Sequence, residues 1–496
     1  MPAAPPTSLI PLPAEHFGYA QARHLLQRAG FGGSHDQLTS LVKLGLPGAV
    51  DLLVDYDRID DAHLPAASID PNVIHPPTDE EKGVYATAKR AGDQDTLDRL
   101  RALRLARQAE DRQQFRDLAT WWLSRLIATP RPLQEKLTLL WHSHFASNFR
   151  TVDDAYLMYR QNVMFRENAR RFDLLARGIV HDPAMIKFLD NDRNRRKAPN
   201  ENLARELMEL FTLGEGQYSE DDIKQGARAL TGYTYDDNDF SFRKRDHDEG
   251  DKSILGVTGP HDGDDFVTIL LGRRSCAQFV AFKLYRHFVA DLPAPSEIDA
   301  PTSDFLNALA DDLTAAKFDL TPVLKRLFMS RHFYHDAVVG NQIKSPAQVV
   351  AGTIRMAATP VRDPHLLRES LGLMGQDLFN PPSVAGWDGG RSWINTSTLF
   401  VRQNVCTYLI TGKLPFADGW TRAAVDLDPL PLLAGLERRT PAAVADRLLG
   451  LMLAGAVPLQ RRQALENFLL ERDTHQPDTL IAALLLITAM PEYQLC

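Results

Sequence analysis

His142 and His144 bracket Ser143 within an otherwise apolar stretch. In an extended backbone residues i and i+2 project to the same side and share one metal ion, whereas in a helix they diverge by about 200° and do not. Chelation by this pair therefore requires the helix that begins near Leu133 to end near Trp141. The other reading is one hydrogen-bonded core histidine and one facing solvent. His247-Asp248, with Lys252 four residues on, is a second candidate, because a histidine beside a carboxylate ligates metal or serves as a base. The same residues equally form an Asx-type turn in an Asp-rich loop. His261 to Asp265 lacks the spaced oxygen ligands and closing glutamate of a calcium loop and reads as a turn.

The stretch from Pro199 to Gly214 is the densest in chemistry. Pro199 and Asn200 supply a helix start and Gly214 a stop, while Leu203, Leu207 and Leu210 repeat at helical spacing. Opposite that stripe, Asn202, Arg205, Glu206 and Glu209 fall on neighbouring turns, so carboxylates and a guanidinium crowd one face. Such a face suits a metal, a phosphate or a buried ion network in which Arg205 neutralises Glu201, Glu206 and Glu209. Asp190 to Asn194 has the acidic and asparagine flavour of kinase metal ligands, but no glycine-rich loop or strand-borne lysine accompanies it. No GxSxG elbow occurs, and Cys276 sits in a leucine- and phenylalanine-rich segment, so nucleophilic catalysis has no candidate.

These groups must be positioned mainly by helices. Tyr19 to Gln27 is a short amphipathic segment, and Ser34 with Gln37 and Thr78 with Glu81 are capping boxes. A long helix is expected from 93 to 127, with Leu97, Leu100, Leu103, Phe115, Leu118 and Leu123 inward. Pro130 and Pro132 interrupt it. Ser219 with Asp222 starts another helix, and helices resume from Ser275. Residues 233–265 are polar, glycine-bearing and alternate Phe240 with Phe242, which suits a β-hairpin. Their charges are expected to cover the N-terminal half of the 200–213 helix. Trp387, Trp393 and the Pro381-Pro382 pair close a core or shape a pocket wall. The architecture expected is mainly α, a multi-helix globular protein with a long polar, partly β insertion. It divides into an N-terminal segment and connection (1–77), a main helical domain (78–415, insertion 233–265) and, after a linker at 414–430, a C-terminal layer (416–496). No period of about 20–50 residues repeats, and no GxGxxG or GxxxxGK[ST] loop is present.

Several ordered stretches carry a resemblance. They are Arg-His-Leu-Leu-Gln-Arg-Ala-Gly-Phe-Gly at 23–32, Trp-His-Ser-His-Phe at 141–145, and Pro-Asn-Glu-Asn-x2-Arg-Glu-x2-Glu-Leu-x-Thr-Leu-Gly at 199–214. Ala-Arg-Ala-Leu-Thr-Gly-Tyr at 227–233 and His-Asp-Glu-Gly-Asp-Lys-Ser-Ile-Leu-Gly at 247–256 follow. Lys-Leu-Tyr-Arg-His-Phe-Val at 283–289, Pro-Pro-Ser-Val-Ala-Gly-Trp at 381–387 and Pro-Glu-Tyr-Gln at 491–494 complete the series. In this order the chain resembles, over nearly its whole length, a bacterial family known as domain of unknown function 1800. Tyr233 stands where that family usually has tryptophan, a difference of local packing. The family has no agreed activity. The resemblance implies a genomic neighbour similar to the sulfatase and alkaline phosphatase superfamily, which commonly carries a twin-arginine export signal, and so a partner with which this chain could be exported.

Composition narrows the function further. Of 496 residues, 44% are hydrophobic and 24% charged, as in an ordinary soluble globular protein. The formal net charge is −8 and the basic residues are scattered, Arg193 to Lys197 being the densest run, so no nucleic-acid footprint is present. Three distant cysteines, Cys276, Cys406 and Cys496, exclude a disulfide framework or a structural zinc site. The N-terminal residues lack a basic region followed by an apolar one, so no signal peptide is expected and the chain reads as cytoplasmic unless a partner exports it. Thr479 to Met490 is too short to span a bilayer. The reading that follows is a metal-dependent hydrolytic or phosphoryl-transfer enzyme. His142, His144, His247 and Asp248 would hold zinc, manganese or iron near the catalytic face of Arg205, Glu206 and Glu209, with a glutamate as general base. The alternative is a non-enzymatic partner of the phosphatase-like neighbour.

Overall fold

A computed structural model describes residues 9–292, 297–416, 419–422 and 426–496. The first eight residues of the stretch read for a signal peptide, and parts of the expected 414–430 linker, lie outside the described residues. Among those described, 21 α-helices and three two-stranded antiparallel hairpins make a mainly α architecture, as composition and periodicity predict.

Local chemistry sets the helix starts. Ser34, Thr78 and Ser219 each accept from the backbone N–H three residues on, and Gln37, Glu81 and Asp222 return the bond. The helix His35–Val54 is long and apolar enough to cross a bilayer. It buries Leu38, Leu41, Leu46, Ala49, Val50 and Leu53 in the protein instead. Gly45, at φ +68°, breaks its axis, a conformation open to glycine at little cost.

The helix Gln94–Ala128 divides into two halves. Phe115, Leu118 and Leu123 are buried as expected, but Leu97 and Leu100 are only half-buried and Leu103 is 53% exposed. Their helix half pairs with Asp79–Ala91, whose only buried residue is Ala88, so the apolar spacing there serves a projecting helical hairpin instead of the core.

The insertion forms two hairpins, Tyr233–Asp236 with Asp239–Phe242 and Lys252–Ile254 with Val257–Gly259. A third, Lys413–Phe416 with Gly419–Arg422, occupies part of the expected linker. Helical structure resumes earlier than Ser275, because Asp262 caps the helix Gly263–Leu271 through bonds to Asp264 N and Asp265 N. The insertion packs mainly on Glu220–Ala229, Pro183–Phe188 and the 191–194 turn, not over the N-terminal half of the 200–213 helix. Asn191 Nδ2 donates to Tyr233 O (2.9 Å), Arg196 N to Asp246 O (2.8 Å) and Leu255 N to Asp222 Oδ1 (2.6 Å). The loop's backbone groups thus find their partners on these nearby elements, away from the carboxylate face.

Two apolar clusters result. The larger draws Leu25 and Leu53, Leu137 and Leu284, and Leu448 and Leu484 into one core, so the three segments distinguished by composition share it. The smaller centres on Trp122, Phe149, Ala351 and Leu378. Leu139 belongs to the smaller and Leu140 to the larger, which places the helix Pro132–His144 at their seam.

Candidate functional site

The helix beginning at Pro132 runs through His144 instead of ending near Trp141, so His142 and His144 point apart and the chelating geometry is not met. Both are buried, so neither faces solvent. Asn162 Nδ2 donates to His142 Nε2 (3.0 Å), and Trp122, Phe165 and Phe379 enclose the ring. Burial, reinforced by Arg166, holds its pKa well below the usual histidine value. His144 Nε2 donates to Phe211 O (2.9 Å). That carbonyl lies in the last turn of a π-helical stretch, Leu207–Thr212, where no helical N–H remains to satisfy it.

His247 and Asp248 stand apart from this pair. His247 Nδ1 donates to Thr231 O (2.8 Å), and Phe242 meets the ring edge-on. Asp248 forms a fork with Arg228, Oδ2 to Nε at 2.7 Å and Oδ1 to Nη2 at 3.1 Å, which holds its carboxyl below the usual range. Lys252 is buried and donates to the carbonyls of Asp248 and Gly250. Here the turn chemistry wins, and these residues lock the insertion to the Glu220–Ala229 helix.

Arg205 turns from Glu206 and Glu209 toward Glu220, both of whose oxygens lie at 2.9 Å, and Glu201 (3.1 Å). Glu209 accepts instead from Tyr218 Oη (2.6 Å), while burial and then Glu209 push the Glu206 carboxyl up. The face is half-exposed, and its arginine serves a neighbouring helix. Arg205→Ala should therefore change stability by no more than about 1 kcal/mol, read as an almost unmoved urea midpoint. Among the described residues, no group of three or more His, Cys, Asp or Glu is placed to hold a metal ion.

A cleft of about 500 Å³ gathers different chemistry at the seam of the two cores. Lys136, Leu139, Leu140 and Ser143, at i, i+3, i+4 and i+7, line it from the helix Pro132–His144. Lys283, Arg286 and His287, at i, i+3 and i+4, line it from Arg274–Phe288. Asp291 and the 385–393 loop, with Trp387, Asp388 and Trp393, form the remaining wall.

Its electrostatics are unbalanced on the helical side. Lys136 is 4% exposed, with its ammonium 5.4 Å from the Phe31 ring, and burial pushes its pKa down to about 7. Burial, and then Arg286, push Lys283 down to about 8. Among the described residues neither lysine nor Arg286 has an aspartate or glutamate partner; Lys283 and Arg286 lie over Phe279 and Phe282. Among the described residues Arg286 Nε, His287 Nε2, His144 Nδ1 and Trp387 Nε1 have no hydrogen-bond partner. The imidazoles are neutral, because burial takes His144 down to about 3 and His287 well below its usual value.

Stretches 141–145, 283–289 and 381–387 all contribute to this lining. Arg28, from stretch 23–32, fastens the cleft from behind by donating to Phe288 O (2.9 Å) and to Gln342 Oε1. Trp387 and Trp393 form a pocket wall, one of the two roles expected of them. Lys136, Lys283, Arg286, Asp291 and Asp388 were not legible as site residues. The available signal was a cationic i, i+3, i+4 stripe on an otherwise apolar helix at 283–287.

Fold and cleft together define a mainly α protein with a cation-rich cleft walled by tryptophan. Residues 24–495 match the family described as Protein of unknown function (DUF1800), and the chain belongs to that family. No curated protein and no solved structure matches it.

Proposed function

We propose that this chain is an enzyme that binds a small anionic substrate in the cleft and carries out a hydrolytic or phosphoryl-transfer reaction there. One observation carries the reading: Lys136, Lys283 and Arg286 line one cleft, and among the described residues no aspartate or glutamate is paired to any of them. A desolvated, uncompensated cation is costly, and an anion arriving among three of them relieves that cost. Fixed cations also stabilise charge that develops on a transferring group, and Asp291 or Asp388 in the same lining offers an acceptor for the proton of an attacking hydroxyl. The metal-dependent form expected from His142, His144, His247 and Asp248 has no ligand cluster among the described residues; the chain's own cations supply the neutralising charge instead.

Sulfate tests this reading because its charge is constant across the pH range of interest. Lys136 and Lys283 are protonated at pH 6 and lose protons as pH rises through about 7 and 8. Sulfate should therefore raise the melting temperature at pH 6, with a gain of about 2.7 kcal/mol at a hundredfold excess over its Kd. That gain should shrink by pH 9 and disappear in Lys283→Met/Arg286→Met. Without the anion the sign reverses. A lysine with a lowered folded pKa leaves the unfolded chain holding more protons, so its contribution to stability rises with pH from about 7 toward the unfolded value of about 10.4. Protein indifferent to both sulfate and phosphate at pH 6 would sink the enzyme reading.

The partner reading would then lead, and one feature favours it. The hairpin of Asp79–Ala91 with the first half of Gln94–Ala128 exposes Val84, Tyr85, Leu103 and Leu105. Projecting apolar side chains suit a protein contact, such as one with a sulfatase- or phosphatase-like neighbour.

A further inference from the structure

We infer that the ligand of this cleft is an anionic sugar, a saccharide bearing a phosphate, sulfate or carboxylate group. Its charged group meets Lys136, Lys283 and Arg286, and its ring lies against the 385–393 loop. The inference rests on the anionic-substrate reading above and adds the chemistry of the remaining wall.

An inorganic anion would pair with the cations alone, and the 385–393 loop would serve only to close the cleft over it. The same cleft is also lined by two carboxylates, Asp291 and Asp388, and two tryptophans, Trp387 and Trp393, which are 8% and 7% exposed. An indole presents a broad flat apolar face with one polar tip, matching the C–H face of a pyranose with a hydroxyl at its edge. Trp387 Nε1 is a buried donor without an acceptor among the described residues. Because His144 Nε2 donates to Phe211 O, its Nδ1 holds a lone pair, and that atom has no donor among the described residues. A hydroxyl both gives and accepts, so it satisfies either atom. Ionised carboxylates are acceptors only, and neighbouring sugar hydroxyls are donors that suit their two oxygens. Both aspartates are exposed, so their oxygens are open to such hydroxyls, and a purely apolar acid would leave them unused. The volume of about 500 Å³ exceeds what an inorganic ion needs and lies within the range of small-molecule sites.

Calorimetry with tryptophan fluorescence on the full chain at pH 6 tests this. The ligands are the 6-phosphates, 6-sulfates and uronic acids of glucose, galactose and mannose, against inorganic phosphate, sulfate, acetate and the neutral sugars. At least one anionic sugar should bind about tenfold or more tighter than both its inorganic ion and its neutral parent, a difference of about 1.4 kcal/mol, and should perturb the indole emission. Asp388→Asn and Asp291→Asn should keep sulfate binding and lose that increment, whereas Lys283→Met should lose both. If inorganic ions bind and no sugar improves on them, the sugar inference falls while the anionic-substrate reading stands. If no anion binds, both fall. A sugar increment that survives both aspartate substitutions would also overturn the assignment.

Discussion

Replacing Glu135 with alanine should lower the stability of this protein by about 3–5 kcal/mol, the largest effect expected of any single charged residue here. Glu135 is fully buried on the helix Pro132–His144, one residue before cleft-lining Lys136. It accepts from Arg125 Nε (2.6 Å), Arg166 Nε (2.7 Å) and Trp122 Nε1 (3.1 Å). Arg125 also reaches Asp61, which Arg131 meets at 3.1 Å, so one carboxylate anchors an ion network joining four chain segments. Removing it leaves two largely buried guanidinium groups short of a counter-charge. Burial pushes the Glu135 carboxyl up, but Arg166 and Arg125 outweigh it and hold the group below its usual value. A lowered acid stabilises the fold above its unfolded pKa of about 4.3, and that contribution fades as pH falls through the folded value. The gap between wild type and Glu135→Gln in denaturant midpoint should therefore be wide at pH 7 and narrow in acid. A midpoint unmoved by Glu135→Ala would show that the network contributes nothing to stability.

Gly386→Ala should damage both fold and cleft. Gly386 has φ +89°, and a Cβ there would fall 2.0 Å from Ser143 O, a backbone atom that cannot rotate aside. The left-handed conformation costs a side chain about 1–2 kcal/mol, and the overlap about 1–3 kcal/mol more. Relief requires the 381–393 loop to lift from the helix Pro132–His144, breaking the bond from Trp387 N to Ser143 Oγ (3.2 Å) and displacing the tryptophan wall. The variant should melt lower and lose the sulfate gain of wild type. Gly389→Ala is the control, since its φ of +74° is also positive but its Cβ would meet only Trp393 Nε1, at 3.8 Å. It should show the conformational cost and keep the sulfate response. A Gly386→Ala protein with undiminished sulfate stabilisation would mean that the loop does not shape the binding site.

The legible parts of this protein are those governed by neighbours in sequence. Ser34, Thr78 and Ser219 announce helix starts because a cap acts on an N–H three residues away. The hairpin at Tyr233–Phe242 and the helical burial of Leu203 and Leu207 follow from short-period patterning, although Leu210 of the same stripe is only half-buried. Even the condition on His142 and His144, chelation only if the helix stops, could be stated beforehand. What could not be stated is which way a half-polar face turns. Arg205 has three acids on its own helix or next to it, and chose Glu220 because the following helix folds back beside it. Leu103 keeps helical spacing with Phe115 but lies beyond the edge of the core. The cleft is the plainest case. Lys136, Lys283 and Asp388 are unremarkable alone, and their meeting depends on how two helices and a glycine-bearing loop pack across the seam of two cores. Caps and amphipathic stripes are encoded over a few residues, so the sequence by itself determined the helices and much of their buried stripes. The charge of the cleft is the sum of groups more than a hundred residues apart, and only tertiary packing decided that they line one cleft.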